Sequence, residues 1–251
     1  MIPLVWIYWI VSLTIVTYAS AYIVKNFREV GYAALVAFYT IYLGASQILA
    51  TRIIEFNLGF YMFYAPAGVF IYPFIAQAID MINEVYGRRK THLAIGIAFI
   101  TQILLITFIA MVNTLTPAPF FEYEEAWQHL FGLSIRITIA SWVSFLVCSN
   151  LDAYVFSKLK KTFIERELAF KYDESLNPYI WLRSSVSDII DLTLDSFIFV
   201  TIAFLGVWDL MTVFQLIIGQ IVSKNIIGFL DNPWFVWYKR LLRDIRRKEI
   251  E

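Results

Sequence analysis

Gln77, Asp80, Asn83 and Glu84 sit in one otherwise apolar stretch of the chain, and Asp188, Asp191 and Asp195 sit in another. Gln77, Asp80 and Glu84 fall at offsets 0, 3 and 7, as do the three aspartates, so each set forms one stripe on a helix. Ser184 extends the second stripe by one turn. Carboxylates in such places accept a proton or paired N–H donors, and burying them in hydrocarbon costs several kcal/mol each. The stripes read as the polar lining of a cavity between helices.

The elements that must position these groups are membrane spans. Of 251 residues, 60% are hydrophobic and 18% aromatic, with a mean hydropathy of +0.67. This excludes an ordinary soluble domain and indicates an all-α, polytopic membrane protein. Seven runs approach the roughly 20 residues that cross a bilayer. They are Pro3–Val24, Tyr32–Thr51, Tyr61–Val85, His92–Leu115, Leu133–Phe156, Ser185–Gly206 and Leu210–Leu230, with a continuation of the last past Pro233 left open. The first reads as a retained span, since no basic flank precedes it and it is too long for a signal-peptide core. The connector 115–132, rich in Pro and Glu, is expected to form a short interfacial helix. The polar connector 157–183 is expected to be a mobile loop.

Lys and Arg fall almost entirely in alternate connectors. They cluster at Lys25 and Arg28, at Arg88 to Lys90, from Lys158 to Arg183, and from Lys239 to Lys248. The other side holds Arg52, while Arg136 and Lys224 fall inside spans. Basic connectors stay on the cytoplasmic side, so the N-terminus is expected outside and the C-terminus inside the cell membrane. The basic tail reads as an electrostatic anchor to the lipid surface, not as a nucleic-acid patch.

Within the spans, Asp195 falls near mid-bilayer and must be protonated, hydrated or paired. Lys224 is expected at the depth of Asp80 and Glu84, in the cytoplasmic half. Acids exceed cations there, which fits a bound proton or a ligand that donates hydrogen bonds. A guanine-like ring does so along its N1–H/N2–H₂ edge. Phe70, Tyr72, Phe74 and Trp142 are available to stack on such a ring. Pro66, Gly68 and Pro73 are expected to bend the third span, Gly87 to cap it, and Asp231-Asn232-Pro233 to break the last. Trp234, Trp237 and Tyr238 read as an interfacial aromatic belt. One cysteine and two distant histidines leave no basis for a metal site, and no cofactor is expected. No paired Tyr-Asp and Gly-Xaa-Gly-Asp signature of an aspartyl membrane protease supports an intramembrane enzyme.

Residues 67–90 (AGVFIYPFIAQAIDMINEVYGRRK), 136–161, 181–206 and the stretch from Lys224 to Pro233 together resemble the queuosine precursor transporter family, also classed as vitamin uptake transporters. The resemblance spans roughly residues 35–240. It implies one transmembrane domain: an added helix over 1–31, a six-helix core over 32–238, and a basic cytoplasmic tail over 239–251. It also implies a fold similar to the substrate-binding subunits of energy-coupling-factor transporters. The implied activity is import of a 7-deazapurine, such as 7-cyano- or 7-aminomethyl-7-deazaguanine, for tRNA modification. Asp80, Glu84, Asp152 and Asp195 match the family's acidic positions, with Asn83, Arg136 and Lys224 as polar partners. Where many members carry Ser-Gln before the sixth-span aspartate, this chain has Asp191 and Leu192. The expected site therefore joins Gln77, Asp80, Asn83, Glu84, Arg136, Asp152, Asp191, Asp195, Lys224 and Phe70 around one hollow sized for a flat heterocycle. Proton coupling is compatible with the surplus acids. A role as binding subunit of an ATP-driven transporter would need a separate ATPase, because the chain has no Walker motif.

Overall fold

Large apolar side chains point outward from the helices while ionisable ones point inward. Tyr8, Ile15, Phe108, Met111 and Phe214 are exposed, whereas Asp80, Asp195, Lys224 and Lys239 are buried. Only a lipid solvent rewards that inversion, since charged groups in hydrocarbon must find partners inside the bundle. The computed structural model describes residues 4–50, 52–57, 62–131, 135–169, 178–206 and 209–242. Among these residues the α-helices are α1 (Leu4–Asn26), α2 (Arg28–Leu49), α3 (Tyr72–Asn113), α4 (Glu124–Phe131), α5 (Ile135–Ala169), α6 (Pro178–Phe204) and α7 (Leu210–Leu241). Five of them are long and apolar enough to cross a membrane: α1, α2, α3, α5 and α7. The run Ser185–Gly206, read from the sequence as a span, is not among the five; Asp188, Asp191 and Asp195 interrupt it.

The α3 helix is two spans in one. Its 42 residues would measure about 63 Å, twice the hydrocarbon thickness. Gly87 interrupts it with φ 76° and ψ 170°. Its arms, 72–86 and 88–113, then fold back beside α2. Tyr32 meets both Tyr86 and Lys90, Tyr39 and Leu43 pack with Ile75, Ile79, Ile95 and Ala98, and Gln102 reaches the Thr40 carbonyl. Residue numbers fall along one arm and rise along the other as α2 is followed, so the arms are antiparallel. Gly87 thus does more than cap the third span; it reverses the chain within a single residue.

That backbone region is open essentially only to glycine and strains other residues by about 1–3 kcal/mol. A Cβ at Gly87 would touch nothing within 4 Å. Gly87→Ala is therefore expected to lower the unfolding midpoint through backbone strain alone, which thermal unfolding in detergent would detect.

Three expectations about chain path need correction. Residues 62–66 are not the start of a helical third span; they form β2 (Met62–Pro66), antiparallel to β1 (Ile53–Asn57) with Glu55 opposite Tyr64. Pro66 and the 3₁₀ turn Ala67–Phe70 then delay α3 until Tyr72, where Pro73 occupies the first turn. The hairpin sits on α7 so closely that a Cβ at Gly219 would lie 2.7 Å from the Tyr64 carbonyl oxygen. Within the 157–183 connector, α5 continues to Ala169 and α6 starts at Pro178, so most of that stretch is helix; residues 170–177 lie outside the described ones. Asp231-Asn232-Pro233 does not break α7, which runs on to Leu241. Pro233 cannot bond the Phe229 carbonyl, and the Asn232 side-chain amide donates to it instead at 3.4 Å.

The short helix expected in connector 115–132 is present as α4. Asp209 caps α7, accepting from the Thr212 hydroxyl at 2.6 Å and amide at 2.8 Å. Those bonds, the hydroxyl's first, hold its carboxyl below the usual range. The N-terminal α1 lies against α7 and the first arm of α3. Trp9 meets Trp234, Tyr18 stacks on Trp237, and Thr17 donates to Gln77. Tyr238 is fully buried. The trio read as an aromatic belt therefore docks helices instead, with Tyr238 in the core and both tryptophans facing α1.

Candidate functional site

The acids gather at two separate places along the bundle. One centres on Asp195 of α6. Lys224 of α7 forms an ion pair with its Oδ2, and the Ser144 hydroxyl of α5 donates to Oδ1 at 2.5 Å. Tyr72, the first residue of α3, stands beside the pair and lines the same cavity as Asp195. The Lys224 ammonium lies 3.5 Å from the centroid of the Tyr72 ring. Lys224 is fully buried and Asp195 nearly so. Four helices thus converge on one ion pair, each supplying a residue: α3, α5, α6 and α7.

Asp191, one turn before Asp195, joins it on the wall of a cavity. Tyr72, Ile79 and Gln102 of α3, Gln47 of α2, and Ser141 and Cys148 of α5 are among the other lining residues. Gln47 Oε1 and Gln102 Oε1 are shielded from solvent and have no hydrogen-bond partner among the described residues. Gln102 donates its amide to Thr40 at 3.3 Å, an arrangement that leaves the oxygen unengaged. The polar wall is rich in acceptors, with two carboxylates and two amide oxygens. Its natural complement is a ligand rich in N–H donors.

The cavity volume is about 50 Å³, room for about three to five waters at 10–15 Å³ each. Small-molecule pockets are usually about 300 Å³ or more. The hollow is therefore narrower than a flat heterocycle needs. The bundle is closed around the Asp195–Lys224 pair, and helices must part to admit a ring.

The second gathering lies at the basic end. Glu84 Oε2 is 3.1 Å from Lys160 of α5, and its Oε1 is 3.8 Å from Lys239 of α7. Lys239 also binds Glu167 at 2.8 Å, and Lys160 donates to the Glu84 carbonyl at 2.9 Å. Asn83 donates to the Ala153 carbonyl and accepts from Ser157. Gln77 accepts from Thr17 of α1 and reaches the Asp231 carbonyl of α7 at 3.5 Å.

Gln77 and Glu84 show that the α3 stripe faces neighbouring helices, and Asp80 is buried on it. The wall that α3 presents to the cavity is instead Tyr72, Ile75, Ala76 and Ile79. One expected site is thus two clusters. Phe70 lies outside the cavity as well: its carbonyl accepts from Trp9 and its ring packs on Trp6. The side chains of Arg136, Asp152 and Asp188 lie outside the described residues.

Lys224 is at the level of Tyr72, not of Glu84. Those two α3 residues are 12 positions apart, about 18 Å along the helix. The reason is the unbroken α7: continuing to Leu241, it carries Lys239 to Glu84 and leaves Lys224 farther from the basic end. Tyr72, Ser144, Gln47 and Gln102 were not foreseen as polar partners. Glutamines at 47 and 102, alone in apolar runs, were the signal available for two of them.

Comparison with known proteins follows from this architecture. Residues 66–238 match the family model described as "Putative vitamin uptake transporter". The chain belongs to the vitamin uptake transporter family. The match includes the cavity walls from α3, α5 and α6, as well as Lys224; α1, α2 and β1 precede it. A Bacillus subtilis (strain 168) protein named "Probable queuosine precursor transporter" is 25% identical over 224 residues. That alignment covers 89% of this chain and 90% of the relative. No solved structure matches the chain. As a member of a vitamin uptake transporter family with long apolar helices, it is a multi-pass membrane transporter of a small molecule.

Proposed function

We propose that this vitamin uptake transporter carries a 7-deazaguanine, such as 7-cyano- or 7-aminomethyl-7-deazaguanine, into the cell for tRNA modification. The N-terminus would lie outside and the C-terminus in the cytoplasm. The observation that carries the reading is the acceptor-rich wall of Asp191, Asp195, Gln47 and Gln102 beside a buried lysine. A guanine-type ring presents N1–H, N2–H₂ and N9–H donors, which match carboxylate and amide oxygens. Its O6 acceptor matches the ammonium of Lys224. The name of the Bacillus subtilis relative supports the same substrate class.

In this scheme the closed cavity is one state of an alternating cycle. Binding must favour an expanded state by differential contacts, and those contacts are the ring N–H groups replacing Ser144 or water at the carboxylates. Glu84 acts on the scaffold that α3 and α7 share, not on the ligand, and Asp80 is buried on the same stripe away from the cavity wall.

The test is uptake of labelled 7-deazaguanines by cells that cannot make them, with and without a protonophore. Asp191→Asn and Asp195→Asn are each expected to cut uptake at least tenfold while the protein still reaches the membrane, since each turns an oxygen acceptor into a donor. Normal uptake by both variants would end the site assignment. Loss of wild-type uptake under the protonophore would assign proton coupling.

A further inference from the structure

A second cavity, of about 480 Å³, lies between the Gly87 reversal and α5 at the basic end. Its wall brings together Arg88, Lys158, Lys160 and Lys161, with Tyr154 and Ser157 among its other residues. No carboxylate is among the described lining residues. Lys160 is compensated from outside the cavity by Glu84 at 3.1 Å. Lys158 and Lys161 have no ion-pair partner among the described residues. Arg88 directs Nε to His92 at 3.1 Å and rests its guanidinium 4.8 Å from the centroid of Tyr154. His92 is held in turn by Asn150 at 2.6 Å. The plane of Arg88 is thus fixed, and its terminal amino groups keep their donors for a ligand.

Arg88, Lys158 and Lys161, without an ion-pair partner among the described residues, repel one another around one cavity, and an anion seated among them would reverse that cost. A fixed guanidinium flanked by lysines matches the oxygens of a phosphate group. The volume is in the range of small-molecule sites. We propose that this cavity binds a phosphate-bearing anion. Its chemistry is shared by an anionic lipid headgroup and a soluble phosphate compound, and basic clefts between spans at a membrane surface serve the former.

The experiment uses the full chain in phosphatidylcholine nanodiscs and reads the thermal unfolding midpoint. One arm adds about one-fifth phosphatidylglycerol to the discs, and the other adds millimolar pyrophosphate at matched ionic strength. Wild type is expected to gain about 5 °C in one of the arms, and the Lys158→Gln/Lys161→Gln variant to lose at least half of that gain. A gain with the lipid alone identifies a headgroup site; a gain with pyrophosphate alone identifies a soluble ligand. No gain in either arm, or a gain that the variant keeps in full, overturns the proposal. Should the double variant fail to fold, Lys161→Gln, at an exposed position, serves alone with a smaller loss expected.

Discussion

Lys224→Met is expected to destabilise the protein by about 3–5 kcal/mol, because it leaves Asp195 buried without its cation. The Ser144 contact remains, but it carries no charge. The double variant Asp195→Leu/Lys224→Met is expected to regain most of that stability, since apolar groups of similar volume replace a buried ion pair at little net cost. Ser144 then keeps its second acceptor, the Asp195-position backbone carbonyl, now 3.0 Å from the hydroxyl. Thermal unfolding in detergent measures both effects. The comparison separates scaffold from function: if the pair only fixes helix packing, the repaired double variant transports normally. If it belongs to the binding wall, the double variant is folded and inert.

Lys239→Met has the second-largest expected effect, again about 3–5 kcal/mol. This ammonium joins two buried carboxylates, Glu84 and Glu167, from different helices. Removing it leaves Glu167 without the cation 2.8 Å away and weakens the hold on Glu84. Lys160→Met should cost only about 1 kcal/mol, because Lys160 is partly solvated and Glu84 keeps Lys239. Glu167→Gln in the Lys239→Met background should recover part of the loss. Unfolding midpoints of the three variants against wild type check the order. A cost at Lys160 equal to that at Lys239 would contradict the network described above.

Much of the architecture was legible because bilayer thickness imposes it. A run such as His92–Leu115 has no other use in a chain this apolar, and the basic stretch Arg88 to Lys90 falls where α3 reverses. The hairpin was not legible. Residues 62–66 are as apolar as a span, and their strand pairing depends on β1, whose partnership is a tertiary fact. Nor was the continuity of α7. Asp-Asn-Pro signals a break in water, but in this bundle the Asn232 amide covers the carbonyl that Pro233 leaves exposed.

The length of α7 decides where Lys224 sits. A last span ending near residue 230 puts it with Glu84, whereas α7 as observed puts it with Asp195. Helical spacing correctly grouped Asp191 with Asp195 on one cavity wall. The same spacing grouped Gln77, Asp80 and Glu84 without saying which neighbour they face. Periodicity defines a stripe; only packing decides whether it meets a cavity or another helix.

The two clusters are linked by shared helices. The first arm of α3 carries Tyr72 to the Asp195 pair and Glu84 to Lys239, and α7 carries Lys224 and Lys239 to the same two places. Parting α6 from α7 to admit a ring breaks the first contact while the second holds α3 to α7 at the basic end. An opening of this kind would act as a hinge rather than a general loosening.

Equilibrium binding of a labelled 7-deazaguanine to the purified chain is the most direct test, because it needs no knowledge of the energy source. Wild type should bind saturably, and the Asp195→Leu/Lys224→Met variant, folded to a comparable midpoint, should show none. Equal affinity in the two proteins would contradict the proposed site.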